Sequence, residues 1–180
     1  MLALPDHFKL FDLQRRFQID AEALDTAYRT VQSHVHPDRF AAGTAAESRV
    51  AMQWATRANE AYRTLKSPLK RAAYLCELAG VPIDAESNTA MPADFLIQQM
   101  QWREALEEAA QAGECPVLLK LDQEMEAERA RITGEIAQAL DGEADYRRAA
   151  SKVRQLMFVE KFGREVSSAV EALRGNHASA

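Results

Sequence analysis

The chain has 180 residues, of which 47% are hydrophobic and 27% charged, an ordinary balance for a globular protein. It has no apolar run of about 18 residues, so no membrane-spanning helix is expected. A net charge of −5 without a concentrated basic stripe argues against nucleic acid as a main partner. Only 7 glycines and 6 prolines interrupt a chain rich in helix-forming residues, which predicts an all-α fold.

The two cysteines also restrict the class of protein. Cys76 and Cys115 lie far apart and form no CxxC pair, which argues against a disulfide framework or a zinc site. The first residues carry no basic segment of the kind that opens a secretory signal. We therefore expect a protein of the reducing cytoplasm that holds no metal or other cofactor.

The charge is distributed unevenly along the chain. Residues 1–80 carry 11 Lys or Arg against 9 Asp or Glu, whereas residues 81–180 carry 11 against 18. A mildly basic part joined to an acidic part predicts two surfaces with different partners.

The first long helix is predicted after Asp20, a plausible N-cap. Its apolar positions recur at spacings of four, three and four, which is typical of one helix face. They are Leu24, Tyr28, Val31 and Val35. The helix must end before Pro37, because proline disfavours helical geometry in the residue before it.

The second long helix is predicted to begin after Thr44, which forms a possible capping box with Glu47. Its predicted buried face consists of Val50, Trp54, Ala58, Ala61 and Leu65. Ser67-Pro68 ends it, and a short helical segment over 69–78 follows. Gly80 is a plausible left-handed end to that segment.

The acidic part begins with a predicted linker over 81–93, which contains two prolines and a Ser-Asn-Thr run. Three helices are predicted after it, from about 93 to 112, 117 to 140 and 143 to 173. Their short connections favour antiparallel packing, so residues 94–180 are predicted to form a three-helix bundle.

The tripeptide His36-Pro37-Asp38 displays two polar residues on a turn between the first two long helices. Three interpretations are open. It is a plain helix stop, or His34, His36 and Asp38 are an HxHxD set of metal ligands, as in metallo-hydrolases. Alternatively, it is a recognition turn that the helices hold in place.

The residues around the tripeptide favour the third interpretation, because they resemble a J-domain throughout. The matching features are Leu10-Phe11, the helix over 24–35, the turn HPDRF at 36–40, and NEAYRTL at 59–65. The segment RAAYL at 71–75 narrows the resemblance to the HscB family of J-type co-chaperones in iron–sulfur cluster assembly. General J-proteins usually continue with a Gly/Phe-rich segment and CxxC repeats. This chain continues instead with an acidic helical domain, which is similar to the HscB pattern.

The resemblance implies an N-terminal J-domain over 1–80, an antiparallel helical hairpin that stimulates the ATPase of an HscA- or DnaK-type chaperone. The implied chaperone-binding residues are His36, Pro37, Asp38, Arg29 and Arg39. Arg29 is the only Lys or Arg on the helix that presents the turn, fewer than in many J-domains.

The first helix of the acidic part carries more apolar surface than one buried face requires. One stripe holds Phe95, Trp102, Leu106 and Ala109. The apolar side chains that lie off this stripe are Leu96, Ile97 and Met100. They either widen the contact with the bundle core or form an exposed partner site.

In the HscB family, the IscU-type cluster scaffold docks on this domain through an apolar and acidic patch. The residues that the resemblance assigns to it are Leu96, Ile97, Met100, Gln101, Glu104, Glu108 and Phe158. Gln101 departs from the family pattern, in which an acidic residue is expected.

The sequence thus predicts a co-chaperone rather than an enzyme, which brings a cluster scaffold to an ATPase chaperone. Two alternatives stay open at this point. The protein is a general J-type co-chaperone for unfolded clients, or it is a metal-dependent hydrolase that uses the HxHxD string.

Overall fold

A computed structural model gives the structure of the protein and describes residues 5–35, 44–83 and 91–178. Within these ranges the chain forms helices and no strand, which confirms the all-α prediction. The helices are α1 (His7–Leu10), α2 (Ala21–Val35), α3 (Ala45–Lys66), α4 (Pro68–Leu78), α5 (Ala93–Ala112), α6 (Cys115–Ala137) and α7 (Tyr146–Ala178). A π-helical turn, Gln138–Gly142, continues α6. No helix in the described part of the chain is both long and apolar enough to cross a bilayer.

Helices α2 and α3 form the predicted antiparallel hairpin. Asp25 near the start of α2 bonds to Lys66 at the end of α3, and the Tyr28 ring stacks on Tyr62 with centroids 4.1 Å apart. The predicted buried face of α3 is wrong at Val50, which is 52% exposed, and Trp54 on that face is only half-buried. The neighbouring Ala51 lies on the buried face instead, so the stripe on α3 begins one position later than the spacing indicated.

The predicted helix ends are confirmed where side chains or glycine fix them. The Thr44 hydroxyl accepts from the Glu47 N–H, and the Glu47 carboxylate accepts from the Thr44 N–H at 2.8 Å, which is a capping box. Gly80 follows α4 with a φ of +75°, a conformation that glycine adopts without strain.

Helices α5, α6 and α7 form the predicted helical bundle. One side of α6 and of the π-helical turn that continues it is buried, namely Leu118, Leu121, Met125, Ile132, Ile136 and Leu140. Helix α7 begins at Tyr146, later than predicted. The reason is local, because Ala144 has a left-handed φ of 51° and the Asp145 carboxylate then accepts from the Arg148 N–H at 3.0 Å.

The hairpin and the bundle share one continuous hydrophobic core, in which α4 packs on α7. Polar contacts cross the same boundary. The Asp141 carboxylate accepts from the backbone N–H groups of Phe17 at 2.6 Å and of Gln18 at 2.8 Å. A guanidinium N–H of Arg154 donates to the carbonyl of Ile83 at 3.2 Å.

Candidate partner-binding surfaces

The predicted chaperone-binding turn, His36-Pro37-Asp38 with Arg39, lies outside the described residues, so its role stays a prediction. The structure does describe the two helices that flank this segment in the sequence. Helix α2 extends to Val35, and Thr44 caps α3. Arg29 lies exposed on α2, where its Nε–H donates to the Asp25 carbonyl at 3.2 Å.

A polar cluster joins α2 and α3 on the side of the hairpin that leads to this turn. The Tyr28 hydroxyl donates to Asn59 Oδ1 at 2.7 Å, and Gln32 Nε2 donates to the same oxygen at 2.6 Å. Hydrogen-bonded groups between packed helices fix their relative register more narrowly than apolar contacts alone. The cluster therefore fixes the register of α2, which directly precedes the tripeptide in the sequence.

A second polar cluster joins the same helices farther from the turn. Both the Lys66 ammonium and the Tyr62 hydroxyl donate to Asp25 Oδ1 at 2.8 Å. These hydrogen bonds hold the pKa of the Asp25 carboxyl below its usual value and raise that of Lys66. The two polar clusters thus oppose sliding of α2 along α3.

The two apolar faces of α5 differ in exposure to solvent. Phe95, Trp102 and Ala109 are buried, as the spacing predicted, whereas Leu106 on the same stripe is half-buried. The three apolar residues off this stripe face solvent, with exposed fractions of 44% for Leu96, 58% for Ile97 and 71% for Met100. The interpretation in which these side chains pack inside the bundle is therefore wrong.

Polar and acidic side chains surround the exposed apolar residues. Gln101, Glu104 and Glu108 are all exposed on the same helix. One helical turn or two separates each of them from Ile97 or Met100, so they lie beside the apolar side chains. We refer to Leu96, Ile97 and Met100 with these three polar residues as the α5 surface. An apolar centre with a polar rim is typical of a protein-binding site.

Phe158 of α7 differs from the other residues predicted for this site, because it is only half exposed. Its ring centroid lies 5.9 Å from that of Phe95, 6.4 Å from that of Trp102 and 5.7 Å from that of Phe162. It therefore belongs partly to the core, and it connects the buried stripe of α5 with the edge of α7.

Arg103 lies at this edge, although the sequence did not single it out. Its guanidinium carbon is 5.8 Å from the centroid of Phe158 and 5.7 Å from that of Phe162. An ion pair of 3.8 Å joins it to Glu165 of α7. Its position seven residues after Leu96 and three after Met100 was the available signal, since those spacings place side chains on one side of a helix.

The described residues contain no group of three or more His, Cys, Asp or Glu side chains arranged to hold a metal ion. Burial raises the pKa of the Cys76 thiol to about 11. A thiol that stays protonated at neutral pH is a poor metal ligand and a poor nucleophile. Cys76 instead packs in the core, where its thiol donates to the Tyr146 carbonyl at 3.7 Å.

Comparisons with known proteins agree with this architecture. A family model described as the HSCB C-terminal oligomerisation domain matches residues 91–167. A relative from Burkholderia cenocepacia, "Co-chaperone protein HscB homolog", is 54% identical over 174 residues, which cover 96% of this chain and 99% of the relative.

Two solved structures are similar along almost the whole chain. Chaperone HscB from Vibrio cholerae has a TM-score of 0.82 and 32% identity, and the match covers 94% of this chain and 99% of that one. Human co-chaperone HscB has a TM-score of 0.85 and 27% identity, with 92% and 82% covered.

The fold is that of a J-type co-chaperone, a helical hairpin followed by an acidic helical bundle. The extent and identity of the matches show that the chain belongs to the HscB family of co-chaperones. The prediction of a co-chaperone rather than an enzyme is confirmed by these relatives, and the hydrolase alternative has no support among them.

Proposed function

We propose that this co-chaperone binds an HscA-type chaperone through the turn at His36, Pro37 and Asp38, and stimulates its ATPase there. On the α5 surface it binds an IscU-type scaffold and delivers it to the same chaperone, which aids maturation of iron–sulfur proteins. The observation that carries the proposal is the exposure of Leu96, Ile97 and Met100 on a helix that already packs a separate apolar stripe on the bundle.

The exposed apolar side chains supply a source of binding energy. Fully burying a side chain of this kind contributes about 1.5–3 kcal/mol, and Met100 keeps 71% of its surface for a partner. The carboxylates of Glu104 and Glu108 at the rim favour a partner with basic groups around its apolar contact. Rim charges of this kind mainly raise the association rate and select the partner.

The chaperone-binding side rests on different chemistry. The turn follows α2, which carries the exposed Arg29, and Arg39 comes directly after the tripeptide. Guanidinium groups pair well with carboxylates, so an acidic groove on the chaperone is the expected counterpart. The surplus of basic residues in 1–80 agrees with that polarity.

The two surfaces act together because one molecule carries both. A scaffold bound on the α5 surface is held near a chaperone bound at the turn, which raises its effective concentration there. The shared core and the contacts of Asp141 restrict relative movement of the hairpin and the bundle. With two buried or half-buried free cysteines, the protein is suited to the reducing cytoplasm that we propose as its location.

The test is the ATPase rate of an HscA-type chaperone with this protein and an IscU-type scaffold, each alone and together. We expect stimulation by the protein alone and a rate with both that exceeds the sum of the separate effects. His36→Gln should abolish the stimulation while circular dichroism shows an intact fold. Full stimulation by folded His36→Gln protein would exclude the proposed role of the turn. Equal synergy with an unfolded polypeptide in place of the scaffold would instead indicate a general J-type co-chaperone.

A further inference from the structure

Arg103 is a cation beside the polar and acidic rim of the α5 surface. Its side chain is about half exposed, although it lies over two aromatic rings and beside Glu165. The neighbours of Arg103 along the exposed part of the helix are acidic, with Glu104, Glu107 and Glu108 following in the sequence. A guanidinium beside acidic side chains can distinguish partners by charge at one point of an interface.

The geometry places this cation next to the apolar centre of the α5 surface. Leu96, Met100 and Arg103 follow one another at spacings of four and three, so their side chains lie along one side of the helix. That side adjoins α7, because the guanidinium of Arg103 reaches Phe158 and Glu165. A partner that covers Leu96 and Met100 and reaches Phe158 must therefore also contact Arg103.

The ion pair between Arg103 and Glu165 is loose. The separation of Nη1 and Oε2 is 3.8 Å, which is beyond hydrogen-bond distance, and the Glu165 side chain is 39% exposed. The two aromatic rings orient the guanidinium plane while its N–H donors stay available. An incoming carboxylate can accept two of these donors side by side, which a single ammonium group does not offer.

We propose that Arg103 is a selectivity residue of the α5 surface. On docking, its guanidinium exchanges Glu165 for a carboxylate of the scaffold that lies beside the scaffold's contact with Phe158. The inference rests on the proposed function of this surface, since it takes the scaffold as the partner. It adds an acidic group to the apolar and basic features that the scaffold's docking segment must carry.

The test is a double-mutant cycle on scaffold affinity, measured by isothermal titration calorimetry at fixed ionic strength. Arg103→Gln should raise the Kd about tenfold, the usual size for one charge-assisted contact. Glu165→Gln should lower the Kd about two- to threefold, because it removes the internal competitor for the guanidinium. In the Arg103→Gln background, Glu165→Gln should have no effect.

Two further variants separate recognition from packing. Arg103→Lys keeps the charge and should recover part of the affinity that Arg103→Gln loses. Arg129→Gln is the matched control, since Arg129 is an equally exposed arginine that is ion-paired on α6, and it should bind the scaffold like the wild type.

The double-mutant cycle distinguishes a failure of this inference from a failure of the proposed function. Absence of scaffold binding by the wild-type protein overturns both. Normal binding by the wild type and by Arg103→Gln overturns only the role of Arg103. A Glu165→Gln effect that persists without Arg103, or a fall in melting temperature for Arg103→Gln without a change in Kd, also overturns it.

Discussion

Helices α2 and α5 are both proposed to serve recognition, yet they present it in different ways. Every apolar side chain on the predicted face of α2 is buried or half-buried, and the recognition residues proposed for this helix follow its end in the sequence. Helix α5 keeps a second apolar face in water along its length. The proposed roles therefore separate stability from binding along the axis of α2, and between neighbouring residues on α5.

The adjacent residues Phe95 and Leu96 of α5 show this contrast most clearly, because the first is buried and the second is exposed. Phe95→Ala removes a buried ring that contacts Trp102 and Phe158 and should lower the free energy of unfolding by about 3–5 kcal/mol. Leu96→Ala removes a side chain that is 44% exposed and should cost less than about 1 kcal/mol. Urea unfolding followed by circular dichroism measures both. Equal losses from the two substitutions would show that α5 has no separate binding face.

The next prediction concerns binding by the exposed face. Leu96→Ser combined with Met100→Ser should raise the Kd for the scaffold at least about thirtyfold, the equivalent of about 2 kcal/mol of lost apolar burial. The fold should remain intact. Phe158 is better left unchanged in this experiment, because its packing against three other rings mixes stability with binding.

A matched control is available on α3, where Val50 and Met52 are 52% and 60% exposed. Changing both to Ser removes a comparable exposed apolar area and should leave scaffold affinity unchanged. A similar loss of affinity in this control would mean that binding responds to exposed apolar area in general.

A smaller effect is expected where the hairpin meets the bundle. Asp141→Ala leaves the N–H groups of Phe17 and Gln18 without their acceptor and should cost about 1–3 kcal/mol of stability. Glu143→Ala is the control, since its carboxylate bonds only to exposed side chains nearby and should cost about 0.5 kcal/mol or less. Thermal unfolding compares the two, and equal melting temperatures would contradict the structural role of Asp141.

The smallest effect is a pH dependence within the hairpin. The pKa of Asp25 is lowered by its hydrogen bonds to Lys66 and Tyr62. Its contribution to stability is therefore present above the unfolded-state pKa of about 3.9 and is lost as the pH falls through the lower folded value. Asp25→Asn should be less stable than the wild type near pH 6, with a difference in urea midpoint that shrinks below about pH 4. If the difference in urea midpoint does not change with pH, the ion pair between Asp25 and Lys66 is excluded as the source of that difference.

Sequence reasoning succeeded where one local rule decides the outcome. Helical spacing placed Phe95 and Trp102 in the core, and the Thr44 capping box set the start of α3. It failed for Val50, because the choice between adjacent stripes on α3 depends on tertiary packing, which buries Ala51 instead.

Contacts between distant segments were also beyond the sequence. Nothing near Asp141 indicates that its carboxylate accepts N–H groups more than 120 residues away. For the candidate site, spacing alone left the exposure of Leu96 and Met100 open, since an apolar side chain off the main stripe fits a wider core equally well. The place of Arg103 over Phe158 depends on how α5 lies against α7.

The central claim is that one molecule joins the two surfaces, and a mixing experiment tests it most directly. Folded His36→Gln protein keeps the α5 surface, and the Leu96→Ser/Met100→Ser protein keeps the turn. We predict that neither variant alone, nor an equimolar mixture of the two, restores the synergistic ATPase rate of the wild type with chaperone and scaffold. Restoration of the wild-type synergistic rate by the mixture would contradict the claim that both surfaces must act within the same chain.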